Sequence, residues 1–173
     1  MRRLLLLRHG KAEAAASDDT ERALIARGEK DSARMGRFLR DDVYIPDMIL
    51  CSTSTRTRQT LDHLLPELGA SPRIEYSDAL YLAEPETILA LIRRVSDKIG
   101  ALMIVGHNPG LEQCALALAA VPLEKKLRKR YGTMEEKFPT CALAVIDFDV
   151  QRWSDVMPGS GDLDAFVRPK DLE

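Results

Sequence analysis

Three short apolar runs without polar–apolar alternation constrain the fold of this chain more than any other feature. They cover residues 4–7, 47–51 and 101–105. Strands that are covered on both faces have this pattern, which is typical of the central strands of a parallel sheet. Segments with helical periodicity lie between the runs. We therefore predict an α/β protein, a three-layer αβα sandwich with a mostly parallel central sheet and an antiparallel edge strand.

The remaining elements follow from apolar periodicity and from turn residues. Helices are predicted over residues 27–41, from Ser52 or Thr53 to a break or kink near Pro66, from Glu84 to about residue 95, and over residues 111–119. Further strands are predicted over residues 73–76 and 140–148, with residues 153–157 as the antiparallel edge. Residues 122–138 are read as a mobile, charged excursion, and the Gly-, Pro- and Asp-rich tail from residue 159 as irregular.

Length and composition limit the class of protein. A chain of 173 residues, 45% hydrophobic and 30% charged, fits one folded domain over residues 1–173. Its net charge of −2 gives no indication of nucleic-acid or membrane binding. The three cysteines are widely spaced and odd in number, so we expect buried, reduced thiols in a cytoplasmic protein and no zinc or disulfide framework.

Polar residues of a matching kind follow three of the predicted strands. Arg8 and His9 come directly after the first run, Arg56 lies in the first turn of the helix after the second, and His107 follows the run that ends at residue 105. Because the carboxyl ends of neighbouring parallel strands meet at one edge, these side chains are expected to gather there. Arginine side chains and helix N-termini both favour a phosphate group.

These residues carry a resemblance to a known family. The triplet Arg8-His9-Gly10, the string at residues 52–60 (STSTRTRQT) and the sequence Gly-His-Asn-Pro at residues 106–109 resemble the histidine phosphatase superfamily. The continuation Lys-Ala-Glu at residues 11–13, Phe-Pro-Thr at residues 138–140 and the compact length resemble its SixA-type phosphohistidine phosphatases. The similarity extends over nearly the whole chain in order, and it implies a phosphoglycerate mutase-like fold.

The resemblance implies a role for each residue of the group. His9 would attack phosphorus and become a phosphohistidine, Arg8 and Arg56 would hold the equatorial oxygens, and His107 would donate a hydrogen bond to the phosphoryl group. The chemistry agrees, since phosphoryl transfer depends on positioning and on neutralising charge. We expect no metal and no cofactor, because the arginines would neutralise that charge. The substrate would be a phosphorylated protein, with phosphohistidine preferred, or a small phosphorylated molecule.

Two further residues are candidates for substrate binding. Arg22, in the loop before the first helix, could reach the substrate as in similar family members, although a solvated or structural arginine is slightly preferred. Lys11 follows the nucleophile and could shape the pocket. The basic cluster at residues 125–130 could attract an acidic partner, but a solvated helix face is the commoner reading.

The sequence leaves the proton donor and the substrate open. Asp78, Glu84 and Glu86 lie in the region where the mutase-like branch carries its acid, and no motif selects among them. Another departure is Ser52-Thr53 where many relatives have Ser-Pro. The alternatives are a phosphatase of small metabolites, a non-catalytic phosphate-binding adaptor, and a metallohydrolase using His9 and His107. The metallohydrolase lacks a supporting cluster of ligands.

Overall fold

Six strands form one mixed sheet in the computed structural model, which describes residues 1–173. The strands are β1 (Arg2–Arg8), β2 (Met48–Ser52), β3 (Arg73–Ser77), β4 (Ala101–Gly106), β5 (Leu143–Phe148) and β6 (Asp162–Val167). Their order is β3-β2-β4-β1-β5-β6, and the first four run parallel. β5 pairs antiparallel with β1, and the edge strand β6 pairs antiparallel with β5. The predicted mostly parallel sheet with an antiparallel edge pairing is confirmed.

Five α-helices cover the two faces of the sheet. They are α1 (Ala26–Asp41), α2 (Thr55–Leu68), α3 (Pro85–Arg93), α4 (Gly110–Leu118) and α5 (Lys125–Glu136). Buried residues of α1 and α2 share one apolar cluster, whereas those of α3, α4 and α5 share the other. This arrangement is the predicted three-layer sandwich. None of the helices combines the length and the apolar character needed to cross a bilayer.

The leucine run of β1 shows why a strand without alternation is central. Leu4 and Leu6 belong to the apolar cluster beneath α3 and α4, whereas Leu5 and Leu7 belong to the cluster beneath α1 and α2. All four side chains are fully buried. Successive side chains of a strand point to opposite faces, so covering both faces demands an apolar residue at every position.

The register of the three central strands sets the level at which the polar residues begin. Leu7 of β1 lies beside Val105 of β4, and Cys51 of β2 lies on the other side of the same valine. Residues 8, 52 and 106 are therefore at one level along the sheet. The chain segments that follow leave the sheet at one edge, as the sequence predicted.

The C-terminal third of the chain contains the main errors of sequence interpretation. Residues 122–138, predicted as a mobile excursion, include helix α5, which buries only Tyr131 and Met134. The edge strand is made by β6 within the tail that was predicted to be irregular, and not by residues 153–157. Trp153 instead begins a short 3₁₀ turn, where its side chain is fully buried.

Helix α2 differs from its prediction at both ends. Ser54, not Ser52 or Thr53, is the N-cap, and its hydroxyl accepts a hydrogen bond from the Thr57 backbone N–H. Pro66 lies inside the helix, which continues to Leu68 and ends at Gly69 in the left-handed conformation. Of the predicted break or kink near Pro66, the break does not occur, and the helix stops just beyond the proline, where glycine accommodates a positive φ.

Candidate active site

The four residues expected at the sheet edge form one cluster in the structure. The ring centroids of His9 and His107 are 5.3 Å apart. His9, His107 and Arg56 are only 6%, 2% and 1% exposed, and Arg8 is partly buried at the end of β1. The charges of Arg8 and Arg56 both act on His9. We refer to Arg8, His9, Arg56 and His107 as the four-residue cluster.

The imidazole of His9 is held in one tautomer. Its Nδ1 lies 2.8 Å from the carbonyl oxygen of Gly10, and because a carbonyl only accepts, Nδ1 carries the proton. Burial, followed by the charges of Arg56 and Arg8, lowers the pKa of His9 to about 4, against an opposing contribution from the Gly10 hydrogen bond. The ring is thus neutral near pH 7, and Nε2 keeps a lone pair without a protein partner.

Gly10 is required because α1 approaches the loop after β1 closely at this position. A Cβ at this position would lie 2.8 Å from the Gly28 carbonyl oxygen and 2.9 Å from the Ser32 hydroxyl, both on α1. The Gly10 N–H also donates to the Thr60 hydroxyl at 2.9 Å. The glycine therefore lets the loop after β1 pack directly against α1 and α2, and this packing holds the carbonyl that orients His9.

Arg56 is placed by the first turn of α2 and is almost completely buried. Its Nη1 donates to the Asp19 carbonyl oxygen at 2.8 Å, and its Nη2 donates to Asp19 Oδ2 at 3.1 Å. Its Nε is buried and has no hydrogen-bond partner. A buried guanidinium needs partners for its N–H groups, so the open Nε marks a position where a further acceptor would be stabilised.

Arg8 enters the same site from β1. Its Nη1 donates to the Phe138 carbonyl oxygen at 3.0 Å, which also accepts from Asn108 Nδ2. Like Arg56, Arg8 has a buried Nε without a partner. The two arginines together offer unpaired donors beside a neutral imidazole, which is an arrangement suited to an oxyanion.

His107 is oriented by a residue of the neighbouring strand. Its Nε2 lies 2.8 Å from the Ser52 hydroxyl, and its Nδ1 is buried without a partner. The Tyr81 ring meets the His107 ring edge-on, with 5.3 Å between centroids. Burial and the neighbouring His9 and Arg56 lower the pKa of His107 to about 3. This second imidazole is therefore also neutral at pH 7.

The other predicted candidates lie at the rim or outside the cluster. Arg22 donates to Asp19 Oδ1 at 3.0 Å and to the Glu13 carbonyl oxygen at 2.8 Å. Its charge still acts on both histidines of the cluster. Lys11 is exposed and lines a groove together with Arg27 and Lys170. No hydrogen bond joins it to the cluster.

The candidate acids are also separated from His9. Asp78 accepts a hydrogen bond from the Thr53 hydroxyl at 2.6 Å. Glu84 and Glu86 are exposed at the start of α3, and neither forms a hydrogen bond with the cluster. The carboxylate that contacts the cluster directly is Asp19, through Arg56.

Several residues of the site were missed from the sequence. Ser52 was considered only as a helix cap, although its position at the end of β2, level with the residue before His107, indicated a contact with that histidine. Tyr81 and Asp19 lie in loops and have no local pattern that distinguishes them. Thr60, whose hydroxyl joins Gly10 to the Arg56 carbonyl oxygen, belongs to the recognised string, but nothing in its spacing indicated this role.

The geometry supports the chemistry of a phosphoryl group. One cluster contains a neutral imidazole with a free Nε2, two arginines with open Nε groups and a second histidine with an open Nδ1. A group that can act as a nucleophile and donors that can stabilise an oxyanion are thus present together. No three His, Cys, Asp or Glu side chains form a group that could hold a metal ion.

Comparisons with known proteins agree with this interpretation. The family model described as "Histidine phosphatase superfamily (branch 1)" matches residues 4–81. A solved structure from Agrobacterium tumefaciens, described as a "putative phosphohistidine phosphatase SixA", is 32% identical, with a TM-score of 0.79 over 97% of this chain and 98% of that one. One from Nakamurella multipartitia with the same description is 27% identical, with a TM-score of 0.84 over 97% of this chain and 96% of that one. An uncharacterized protein of Mycobacterium tuberculosis is 36% identical over 95% of this chain and its own full length.

Proposed function

This chain belongs to the histidine phosphatase superfamily, and from that premise we propose that it hydrolyses phosphohistidine in proteins through a covalent phosphohistidine on its own His9. The observation that carries the proposal is the state of His9. Its Nδ1 proton is held by the Gly10 carbonyl, and burial beside two arginines keeps the ring neutral. The remaining nitrogen, Nε2, is the atom that can attack phosphorus.

The reaction would proceed in two displacements at phosphorus. In the first, the lone pair of His9 Nε2 forms a P–N bond while the bond to the substrate breaks, and the electron pair of that bond leaves with the substrate. In the second, a water oxygen attacks phosphorus, the P–N bond to His9 breaks, and the water proton passes to solvent as phosphate forms. The His9 ring then returns to its neutral state.

The other members of the cluster would stabilise charge in both steps. The open Nε groups of Arg8 and Arg56 would donate to phosphoryl oxygens. His107 would donate from Nδ1 if its Nε2 accepts from the Ser52 hydroxyl, which is consistent with their 2.8 Å separation. One such preorganised donor contributes roughly 3 kcal/mol to a transition state. The guanidinium groups thus provide the charge neutralisation for which no metal ion is proposed.

The preference for phosphohistidine rests on the leaving group. An alkyl phosphate expels a basic alkoxide, which requires a well-placed acid. The carboxylate nearest the cluster is Asp19, and hydrogen bonding from Tyr81 and the charges of Arg56 and Arg22 lower its pKa to about 2. It is therefore ionised near pH 7 and cannot donate a proton. A phosphohistidine ring whose other nitrogen carries a proton departs as neutral imidazole, the conjugate base of an imidazolium of pKa about 6.5, and needs no acid from the protein.

A substrate panel tests the proposal. A phosphohistidine protein should be turned over far faster than a phosphoserine peptide or a sugar phosphate, with an aryl phosphate between them, and EDTA should leave all rates unchanged. Comparable rates on alkyl phosphates, lost in Asp78→Asn or Glu84→Gln, would instead establish a metabolite phosphatase. A requirement for one divalent ion would contradict the proposed chemistry.

Trapping the intermediate tests the nucleophile. Rapid quenching with a ³²P-labelled substrate should give an acid-labile, base-stable adduct that is absent from His9→Gln. His63→Gln is the matched control, because His63 is an exposed histidine of α2. Label that persists in His9→Gln would reject the assignment, and failure of the wild type to bind or turn over any phosphate ester or phosphoramidate would favour a non-catalytic adaptor.

A further inference from the structure

An aspartate from an exposed loop lies against the buried arginine of the active site. We call residues 14–22, between β1 and α1, the strap. Its Asp19 contacts Arg56 through both its backbone carbonyl and its carboxylate, at 2.8 and 3.1 Å. The same carboxylate accepts from Arg22 Nε at 3.0 Å and from the Tyr81 hydroxyl. One side chain therefore links three residues that surround the phosphoryl position.

The contacts of Asp19 occupy only one edge of the Arg56 guanidinium. The Nη1 and Nη2 groups form the end of the planar fork, and both donate to Asp19. The side of the fork that includes Nε has no acceptor, although Nε is completely buried. A guanidinium presents two N–H groups in parallel on this side as well, so the open edge can bind an oxyanion while the end edge stays on Asp19.

Asp19 does not occupy the position of the substrate itself. It forms no hydrogen bond with His9 or Arg8, whose Nε2 and Nε remain open. Its side chain is 47% exposed, whereas that of Arg56 is 1% exposed, so the aspartate lies on the solvent side of the arginine. The aspartate therefore leaves the open atoms of His9 and Arg8 without a competing hydrogen bond.

We propose that Asp19 is a positioning residue that fixes the Arg56 guanidinium with its Nε edge toward the phosphoryl group and whose charge weakens the retention of inorganic phosphate. The inference rests on the proposed function, because it assigns Arg56 to the phosphoryl group. A fixed donor needs no reorganisation during the reaction, which is why orientation increases the rate. The carboxylate near Arg56 and Arg22 also reduces their attraction for a phosphate dianion, which favours product release.

The titration of Asp19 is consistent with this role. The hydrogen bond from Tyr81 and the charges of Arg56 and Arg22 lower its pKa to about 2. The side chain is consequently a carboxylate throughout the range in which His9 is a neutral nucleophile. It can act as a counter-charge and as a hydrogen-bond acceptor without exchanging a proton with the substrate.

Two substitutions separate orientation from charge. Asp19→Ala removes the carboxylate contact to Nη2 and the charge but keeps the backbone carbonyl that accepts from Nη1, and we expect kcat for phosphohistidine hydrolysis to fall roughly tenfold, the effect of one charge-assisted hydrogen bond. Asp19→Asn keeps an acceptor of similar shape and removes the charge. Calorimetric titration with inorganic phosphate should then show binding roughly threefold tighter than in the wild type, the effect of one partly screened charge. In an Arg56→Lys background, Asp19→Ala should lower kcat no further.

The neighbouring aspartate supplies the matched control. The Asp18 carboxylate accepts hydrogen bonds only from Thr20, within the strap, and Asp18→Asn should leave both kcat and phosphate affinity at wild-type values. Unchanged kcat in Asp19→Ala, or phosphate binding in Asp19→Asn that is equal or weaker, would overturn the proposal. Equal losses in the Asp18 and Asp19 variants would do the same, since they would show a general disturbance of the strap. The phosphate titration needs no turnover, so it tests Asp19 even if phosphohistidine is not the substrate.

Discussion

The four-residue cluster and the strap surround the same phosphoryl position but are built in opposite ways. The cluster is carried by strand ends and the first turn of α2, and His9, Arg56 and His107 are almost completely buried. Most of the strap is exposed, and its ends are tied by a bridge between Ala12 and Leu24. The groups that would react are thus on rigid elements. The charged groups that act on them from outside the cluster are on a loop with few buried contacts.

The largest effect should come from Arg56, which belongs to the cluster and also anchors the strap. Arg56→Met removes a buried charge next to the phosphoryl position, and we expect kcat/KM to fall about 10² to 10³-fold. Loss of the anchor should also increase amide hydrogen exchange in residues 14–22, as measured by mass spectrometry.

Arg58→Met is the control, since Arg58 lies two residues further along α2 and stacks on Tyr76 instead. It should retain both activity and strap protection. A loss below tenfold in Arg56→Met would show that the cluster does not depend on this arginine. Unchanged exchange in the strap would show that Asp19 is not its anchor.

The pH dependence of the free energy of unfolding should depend on the buried histidines of the cluster and not on the strap. Unfolded histidines have a pKa of about 6.5, whereas His9 and His107 in the folded chain have pKa values of about 4 and about 3. Between these pKa values the unfolded chain binds more protons than the folded chain. The stabilisation that comes from the neutral, buried histidines is therefore complete above pH 6.5 and is lost as the pH falls through 4. We expect the free energy of unfolding to decrease by roughly 3 kcal/mol for each of the two histidines over this range, about 6 kcal/mol in all.

Urea denaturation at a series of pH values measures this effect. His107→Gln should flatten the dependence, while His63→Gln should keep the wild-type profile because His63 is 40% exposed. A flat profile in the wild type would mean that both buried histidines titrate as they do in the unfolded chain, which contradicts their burial beside two arginines.

The smallest effect should come from a strap residue that does not reach the cluster. Glu21 accepts a hydrogen bond from the Ser17 hydroxyl at 3.1 Å, and both residues are exposed. Glu21→Ala should change stability by less than about 0.5 kcal/mol and kcat/KM by less than about twofold, as is usual for exposed substitutions. A larger loss of activity would show that strap residues other than Asp19 and Arg22 act on the cluster.

The errors of prediction follow the same division between buried, regular elements and exposed or weakly patterned ones. Strands β1, β2 and β4 were predicted to within two residues at each end, because each of their central side chains had to be apolar. Helix α5 was missed because ten of its twelve residues are not buried and its composition is that of a solvated segment. Strand β6 was missed because its ladder with β5 is made in a tail with turn-rich composition.

The residues of the site show the same division between those that could be predicted and those that could not. Arg8, His9, Arg56 and His107 could be named in advance because each follows a recognisable strand directly or lies in the first turn of the helix after one, and parallel strands end at a common edge. Asp19 and Tyr81 could not be named in advance. Their hydrogen bond joins two short loops whose residues are 62 positions apart in the chain. Loop conformations depend on the packing around them, and no periodic pattern encodes such a pairing.

The sequence by itself determined which residues occupy the carboxyl ends of the strands, because burial on both faces leaves an unmistakable apolar run and polar residues can begin only where it stops. Only the tertiary structure decided which strands are neighbours. β1 lies between β4 and β5, with Arg3 beside Ala101 and Asp147, although about a hundred residues or more separate these positions in the chain. It also decided that Asp19 would meet Arg56, since a buried guanidinium must find acceptors in whatever segment the completed fold brings to it.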